Sequence, residues 1–287
     1  MLKLKINRHL LRGLALTFIV GALPFTNYAP AYAQESERSR YLDDYRQQVG
    51  LTYGASATIQ TTYIWRGLYA GGANIQLDAN VGYGGLYADL WWNIGTTDWA
   101  FSKFLPEVDI SLGFKRWGLN VYLLYIHNFD CGFFDFANYA GRGNRLEVNA
   151  RYTVSSKIPL SITWGTRISA ADGYINDRGE LKFAYSSYAE IAYTQALPYD
   201  LSLSGAIGFS PWKSVYSFYE GDFVVNNIAL SLRKDWSVSE HCGLMLSGHL
   251  VLNPSSIAAD KHRAEWHPKS PGLQAVNANI ALGVYLK

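Results

Sequence analysis

The sequence has 287 residues, with 25 Lys and Arg against 23 Asp and Glu and only two cysteines. This length suits one folded unit, the near-zero net charge does not indicate a nucleic-acid partner, and two cysteines are too few for a disulfide framework. Aromatic residues make up 15% of the chain, yet beyond the N-terminal region no apolar stretch approaches the length of a membrane-spanning helix.

The first 33 residues have the pattern of a secretory signal peptide. Basic residues precede the apolar segment GLALTFIVGAL, and the following APAYA supplies an A-x-A site, so we predict cleavage after Ala33. Removal of this segment takes away four basic residues and no acidic ones, which leaves 21 against 23 and a net charge of −2. Residues 34–52 are polar without a persistent apolar face and are predicted to be a periplasmic lead-in.

Residues 53–287 are predicted to form an antiparallel transmembrane β-barrel of about 12 strands. In the first segment, ASATIQTTYIWR, apolar residues at odd positions alternate with polar residues at even positions up to Arg66. Successive side chains of a strand point to opposite faces, so each such segment has an apolar face for lipid and a polar face for a lumen. About a dozen segments follow this pattern. A soluble lipocalin-like barrel is disfavoured, because its apolar outer band would face water.

The links between these segments predict the orientation of the barrel. Short links fall near residues 83–85, 115–118, 155–159, 196–200 and 234–243, and they alternate with mostly longer, polar ones. Short periplasmic turns and long outer loops are typical of the bacterial outer membrane, which predicts lipid contact and two periplasmic termini. Cys131 then lies in an outer loop and Cys242 in a periplasmic turn. Because the hydrocarbon core is about 30 Å thick, this topology requires that they are not bridged.

The segment TTYIWRGLYAGG (residues 61–72) places a charge beside aromatic residues. We predict that Tyr63 and Trp65 end the first strand in the aromatic girdle at the outer interface, while Arg66 turns into the lumen. The glycines that follow would let the chain turn over the rim. The expected partner of Arg66 is Asp78 or Gln76 on the neighbouring strand.

The same alternation places a set of polar side chains on the inner wall as candidates for lining a lumen or binding a solute. They are Arg66, Gln76, Asp78, Asp89, Trp91, Glu107, Asp109, Arg145, Glu147, Arg151 and Arg167. Inner charges of both signs are expected of ion pairs that brace a barrel and also of residues that line a narrow pore. The sequence leaves both interpretations open.

The run TYIWRG, then Gln76, then GLYADLW and PEVD resembles the Gcw_chp family of conserved bacterial proteins over roughly residues 56–125. The resemblance implies an exported outer-membrane barrel and no settled biochemical activity. The residues that carry it are Tyr63, Arg66, Gly67, Gln76, Gly85, Tyr87, Ala88, Trp91, Glu107 and Asp109.

Two pairs of residues could supply a nucleophile or base for a lipid-modifying enzyme. His127 precedes Asn128 near an outer rim, and Ser247 and His249 share one face of a strand. No third group that would orient the histidine can be identified, and an enzyme that hydrolyses lipid needs an outward or rim-facing nucleophile, so no catalytic residue is predicted.

A metal site is the remaining chemical possibility. The segment HRAEWH offers His262, Glu265 and His267 in the last long loop, but loop spacing fixes no coordination geometry, and no metal or cofactor is predicted. The sequence favours a narrow porin-like channel or small-solute binder. The alternative is a closed barrel that serves as a scaffold for aromatic outer loops such as FDCGFFDFANY and SVYSFYEGD.

Overall fold

The structure is a computed structural model that describes residues 50–96, 104–129, 131–136, 144–155, 158–169, 172–176, 178–217, 219, 223–255 and 275–286. The predicted signal peptide and most of the predicted lead-in lie outside these residues. Among the described residues, no helix is long and apolar enough to cross a membrane.

Sixteen strands are present in the described part of the chain. They are β1 (Leu51–Gln60), β2 (Tyr63–Trp65), β3 (Leu68–Gly71), β4 (Asn74–Tyr83), β5 (Leu86–Thr96), β6 (Phe104–Arg116), β7 (Leu119–His127), β8 (Arg145–Thr153), β9 (Leu160–Arg167), β10 (Gly173–Ile175), β11 (Leu181–Phe183), β12 (Ser187–Leu197), β13 (Leu201–Ser210), β14 (Val224–Ser237), β15 (Cys242–Leu252) and β16 (Val276–Leu286). A single 3-10 turn, Val215–Ser217, precedes β14.

Twelve of these strands close into one antiparallel barrel, which confirms the predicted fold class. Its order is β1-β16-β15-β14-β13-β12-β9-β8-β7-β6-β5-β4, with β4 pairing back onto β1. The remaining strands form two separate hairpins, β2–β3 and β10–β11. Each barrel strand therefore pairs with its neighbour in the sequence once the two hairpins are set aside, and closure leaves no unpaired sheet edge.

The alternation of residues in the sequence becomes an alternation of exposure in the barrel. On β5, Leu90 and Trp92 are 48% and 43% exposed on the outer surface, while Trp91 between them is completely buried inside. The same contrast separates Ile75 from Gln76 on β4. The outer surface is consequently an apolar band, the surface that a hydrocarbon environment solvates best.

The two ends of the barrel differ, and we call them the turn end and the loop end. The turn end carries the short links, such as residues 84–85 between β4 and β5 and residues 117–118 between β6 and β7. The loop end carries the long links. Cys131 belongs to a loop-end link, Cys242 begins β15 at the turn end, and both are free. The prediction that they are not bridged is confirmed.

A charge on the outer face should be most costly at the middle of a strand. We expect Leu90→Arg to lower the free energy of unfolding in lipid vesicles by roughly 2–4 kcal/mol, because the guanidinium would sit in hydrocarbon. Val81 is also 48% exposed but lies near the turn end of β4, so Val81→Arg should cost at most about 1 kcal/mol. Denaturant titrations followed by tryptophan fluorescence would compare the two. Equal losses would contradict the placement of Leu90 at mid-depth.

Candidate functional site

The link between β1 and β4 folds into the lumen. β1 ends at Gln60, and Tyr63–Gly71 form the β2–β3 hairpin, which we call the luminal hairpin. Tyr63 is only 5% exposed and donates a hydrogen bond to Glu107 Oε1 (2.8 Å), while Trp65 packs against an inward-facing apolar cluster on β7. The prediction that Tyr63 and Trp65 face the outer interface is therefore wrong. Both rings are inside because the chain leaves the sheet after Gln60 instead of continuing to the rim.

The tip of the luminal hairpin is a two-residue turn. Trp65 pairs with Leu68 across it, and the intervening Arg66 and Gly67 have φ angles of 51° and 82°. Positive φ at both positions is typical of the type I′ turns that join short hairpins. A Cβ atom on Gly67 would lie 1.8 Å from the backbone oxygen of Asn226. The tip consequently seats against β14 only because this residue is glycine.

Arg66 reaches the wall opposite the strand from which it departs. In the closed ring of twelve strands, β8 lies five places and β9 six places from β1, close to the largest possible separation. The Nη1 atom of Arg66 is 3.0 Å from Glu147 Oε2 on β8, and its Nη2 donates to Asn149 Oδ1 (2.9 Å). The expectation of Asp78 or Gln76 as its partner is therefore wrong, because the hairpin carries the guanidinium across the lumen instead of leaving it beside β4.

One carboxylate holds two arginines at this point. Glu147 Oε1 accepts hydrogen bonds from Arg167 Nε (3.1 Å) and from the hydroxyl of Tyr216 (3.0 Å), while Oε2 faces Arg66. The side chains of Arg66, Arg167 and Glu147 are 8%, 3% and 0% exposed. Tyr216 also accepts a hydrogen bond from Arg66. We call these four residues the Arg66 latch.

Aromatic rings surround the guanidinium of Arg66. Its Cζ atom lies 4.7 Å from the ring centre of Trp65, 5.1 Å from that of Tyr188 and 5.2 Å from that of Tyr216. Gly165 on β9 provides the space, because a Cβ atom there would lie 2.8 Å from Arg66 Nη2. Cation–π attraction inside a barrel adds to the ion pair and helps hold the tip of the luminal hairpin in place.

Tyr216 comes from a second segment that enters the lumen, part of the aromatic loop SVYSFYEGD. The 3-10 turn Val215–Ser217 buries Tyr216 completely. In the same loop, the hydroxyl of Tyr219 donates to Asp172 Oδ1 (3.3 Å). Burial and the negative charge of Asp172 raise the pKa of Tyr219 to about 12. This loop and the luminal hairpin together fill the middle of the lumen near β8 and β9.

The structure places every predicted luminal candidate inside the barrel, and their charges separate into two sectors. The acidic sector on β4, β5 and β6 contains Gln76, Asp78, Asp89, Trp91, Glu107 and Asp109. The basic sector on β8 and β9 contains Arg145, Arg151 and Arg167 with the single carboxylate Glu147. Asn128, with its amide nitrogen toward Glu107 (2.5 Å) and its oxygen toward Arg145 (2.9 Å), bridges the sectors.

The inner face of β7 separates the two sectors and is apolar. Tyr122, Leu124 and Ile126 are 5%, 0% and 2% exposed and pack together against Trp65 and Tyr87. The sequence of β7 is apolar on both faces, and the structure gives the reason. One face contacts the surroundings of the barrel, and the other contacts the luminal hairpin.

Several polar atoms of the acidic sector are buried without a protein partner. These include both amide atoms of Gln76 and one oxygen each of Asp89, Asn93 and Asp109. Buried polar groups in native proteins are almost always hydrogen-bonded to protein or to ordered water. Since the described residues offer these atoms no partner, the lumen beside β4–β6 is a place for water.

A cavity of about 180 Å³ lies beside the tip of the luminal hairpin. Its lining includes Trp65 and Arg66 from the hairpin and Arg151, Thr163 and Glu190 from the wall. Arg151 lies two residues from the turn-end terminus of β8, whereas Val251, which also lines the cavity, lies one residue from the loop-end terminus of β15. The cavity therefore extends along the hairpin tip toward both ends of the barrel.

Of the residues considered for catalysis, Ser247 and His249 lie on the inner wall. His127 shares the outward face of β7 with Leu123 and Tyr125, and its ring packs against Phe133. His127 Nδ1 is 2.7 Å from Asn144 Oδ1. His249 Nε2 is 3.0 Å from Ser247 Oγ, and its Nδ1 is 2.7 Å from Ser231 Oγ. Ser231 is a third group that the sequence did not identify. It is a neutral hydroxyl, which lacks the negative charge that stabilises an imidazolium in a catalytic triad.

In the part of the chain that the structure describes, no group of three His, Cys, Asp or Glu side chains could hold a metal ion. The candidate ligands His262, Glu265 and His267 lie outside the described residues.

No protein-family model matches the chain, and no curated protein matches it. The resemblance to the Gcw_chp family therefore stays a prediction from the residues that carry it.

Several solved structures share the barrel architecture. The NanC porin aligns with 82% of this chain and 100% of its own at 10% identity and a TM-score of 0.46. An outer-membrane channel from Pseudomonas putida F1 aligns with 91% of this chain and 99% of its own at 8% identity and a TM-score of 0.44. The CymD monoaromatic hydrocarbon channel aligns with 93% and 94% at 9% identity and a TM-score of 0.41. At these values the likeness concerns architecture and not the solute of this lumen.

Proposed function

We propose that this protein is an outer-membrane channel for small polar solutes, with the luminal hairpin as its constriction. The turn end and both termini face the periplasm, the loop end faces the exterior, and the apolar outer band contacts lipid. The exported chain requires no cofactor for this role and performs no catalysis.

The observation that carries this proposal is a polar lumen crossed by one peptide hairpin. A barrel that serves only as a support has no need for unpartnered polar atoms such as those of Gln76 and Asp109 inside its wall. In a conducting barrel those atoms contact passing water and solute. Twelve strands enclose a width between barrels filled by side chains and open porins, so one hairpin suffices to constrict it.

The separation of charge between neighbouring sectors also supports conduction. Apart from Lys115 near the turn end of β6, the inward charges of β4–β6 are carboxylates, whereas β8 and β9 carry three arginines beside Glu147. A solute beside the luminal hairpin therefore experiences a field across the barrel axis. Bracing ion pairs would be satisfied by alternating signs on adjacent strands, whereas a transverse field orients polar solutes as they pass. The apolar face of β7 keeps the two sectors apart.

A closed barrel that presents its loops is the second candidate, and the Arg66 latch is the observation that favours it. Glu147 is completely buried between two arginines, so the side chains pack there closely enough to exclude solvent from the carboxylate. The two candidates differ in one property: whether solute passes when the latch is intact.

Single-channel conductance in planar bilayers tests the proposal. We expect the purified chain to give small conductance steps, and Arg66→Ala to give larger ones because it removes the side chain that fixes the hairpin to β8. A variant in which a tight turn replaces residues 61–73 should conduct most. That replacement is geometrically possible because Gln60 and Asn74 already pair directly.

Lys182→Ala is the control variant, because Lys182 is 51% exposed on β11 and pairs only with Glu180, which is equally exposed. It should conduct like the unaltered chain. Folding of every variant is verified by its heat-dependent migration in gel electrophoresis. Electrical silence of folded wild-type chain and folded hairpin-less chain would reject the channel and leave the closed barrel.

A further inference from the structure

The cavity beside the luminal hairpin is lined by one cation and one anion that have no charged partner among the described residues. The cation is Arg151, and the anion is Glu190. The other two cavity arginines already have a carboxylate partner: Arg66 shares Glu147 with Arg167, and Arg233 pairs with Asp235 at 2.6 and 2.9 Å. The unpaired charges that a solute would meet are therefore of opposite sign.

Arg151 and Glu190 occupy the same row of the inner wall. Thr163 on β9 pairs with Arg151 on one side and with Glu190 on the other. Since neighbouring strands lie about 4.8 Å apart, the backbones of the two charged residues are roughly 10 Å apart. The two side chains could span this separation but form no ion pair with each other, so both charged groups are available to a small molecule that carries both charges.

Unpartnered polar atoms stand at both positions. Arg151 Nε is buried without a partner, and the guanidinium makes one hydrogen bond, from Nη2 to Ser161 Oγ at 3.3 Å. Glu190 Oε2 accepts hydrogen bonds from Asn227 Nδ2 (3.0 Å) and from the hydroxyl of Tyr188, while Asn227 Oδ1 is buried and accepts no hydrogen bond. A donor is thus available at the Arg151 side, and two acceptors, Glu190 and Asn227, are available at the other.

We propose that this cavity binds a small zwitterion of the α-amino acid class, with its carboxylate at Arg151 and its ammonium group at Glu190 and Asn227. The inference deepens the proposed function, on which it rests, by naming the class of solute. A cavity of about 150 Å³ can hold benzene, so 180 Å³ accommodates an amino acid with a short side chain. Ala192, Ala206 and Ala229 leave space for that side chain.

Three matched probes separate the two charges of the solute. L-serine carries both, glycerate replaces the ammonium group by a hydroxyl, and ethanolamine lacks the carboxylate. In saturation-transfer NMR titrations of the detergent-solubilised full chain, we expect L-serine to bind about tenfold or more tightly than either probe, because each lost charge removes one charge-assisted hydrogen bond.

Two substitutions assign the charges to residues. Glu190→Gln should abolish the preference for L-serine over glycerate, and Arg151→Gln should abolish its preference over ethanolamine. Glu240→Gln and Arg178→Gln alter exposed residues of a turn and a loop and should change neither ratio. Equal affinity for L-serine and glycerate, or an unchanged ratio in Glu190→Gln, would overturn the assignment.

The titration needs no conduction, so the two proposals can fail separately. Binding of L-serine by a chain that is electrically silent would keep the zwitterion site and reject the channel. Conduction without any preference for L-serine would keep the channel and reject the site.

Discussion

Glu147→Ala is expected to destabilise the barrel more than any other single change in the lumen, by roughly 3–5 kcal/mol. The substitution removes the acid that pairs with both Arg66 and Arg167, whose side chains are 8% and 3% exposed. Two buried guanidinium groups would then lose the carboxylate that they share, and the hydroxyl of Tyr216 would lose its acceptor. Urea titration of the chain in lipid vesicles, followed by tryptophan fluorescence, measures the loss.

Two further variants separate charge from shape. Glu147→Gln keeps the volume and one acceptor oxygen, so it should retain the hydrogen bond from Tyr216 while losing the attraction to Arg66. The stability of Glu147→Gln should therefore lie between that of the wild type and that of Glu147→Ala. Glu180→Ala removes an exposed loop carboxylate that pairs with Lys182, and no measurable change is expected. If Glu147→Ala lost no more stability than Glu180→Ala, the Arg66 latch would not hold the luminal hairpin in place.

Alternation with a period of two was enough to predict the barrel. Leu90, Trp91 and Trp92 show why: three large residues in succession are assigned to outside, inside and outside by position alone, and their exposures follow that order. A sheet closed on itself gives every strand the same two environments, so one local rule applies to all of them. The luminal location of the predicted wall residues follows from the same rule.

The luminal hairpin could not be predicted by that rule, because Tyr63, Trp65 and Arg66 keep the alternation of β1 although Thr61 and Ile64 depart from it. The period-two pattern of Tyr63 and Trp65 fits a strand that crosses lipid and equally a hairpin strand inside the lumen. Two features of the sequence are consistent with the hairpin inside the lumen. The pair Arg66-Gly67 between aromatic residues suits a two-residue turn, and the apolar inner face of β7 requires an apolar surface to cover it.

The partner of Arg66 depends on a distance across the barrel, and this quantity is absent from the sequence. The order of the strands along the chain predicts which strands are neighbours. If Arg66 belonged to β1, Asp78 on the neighbouring strand would be the nearest acid. Once the chain leaves the sheet at Gln60, its reach is set by the hairpin and by the space that Gly165 leaves on the far wall. The contact between Arg66 and Tyr216 could not be predicted either, because the loop that carries Tyr216 is positioned by contacts with the Arg66 latch.

Gly67→Ala is expected to open the lumen without altering any charge. Its Cβ atom would lie 1.8 Å from the backbone oxygen of Asn226, and φ is 82°. The tip of the luminal hairpin must therefore withdraw from β14, which pulls Arg66 from Glu147 and breaks the hydrogen bond from Asn253 Nδ2 to the Gly67 oxygen (3.0 Å). Single-channel recordings should show conductance that approaches that of the chain lacking the hairpin.

Gly84→Ala is the matched control, because Gly84 also has a positive φ, of 62°, but a Cβ atom there meets nothing within 4 Å. Both substitutions add backbone strain of roughly 1–3 kcal/mol, so both should lower stability, whereas only Gly67→Ala displaces the hairpin. A conductance increase confined to Gly67→Ala therefore identifies the position of the hairpin, and not general loosening of the barrel, as what limits passage. Equal conductance of the two folded variants would mean that solute passes, if it passes at all, by a route that the luminal hairpin does not control.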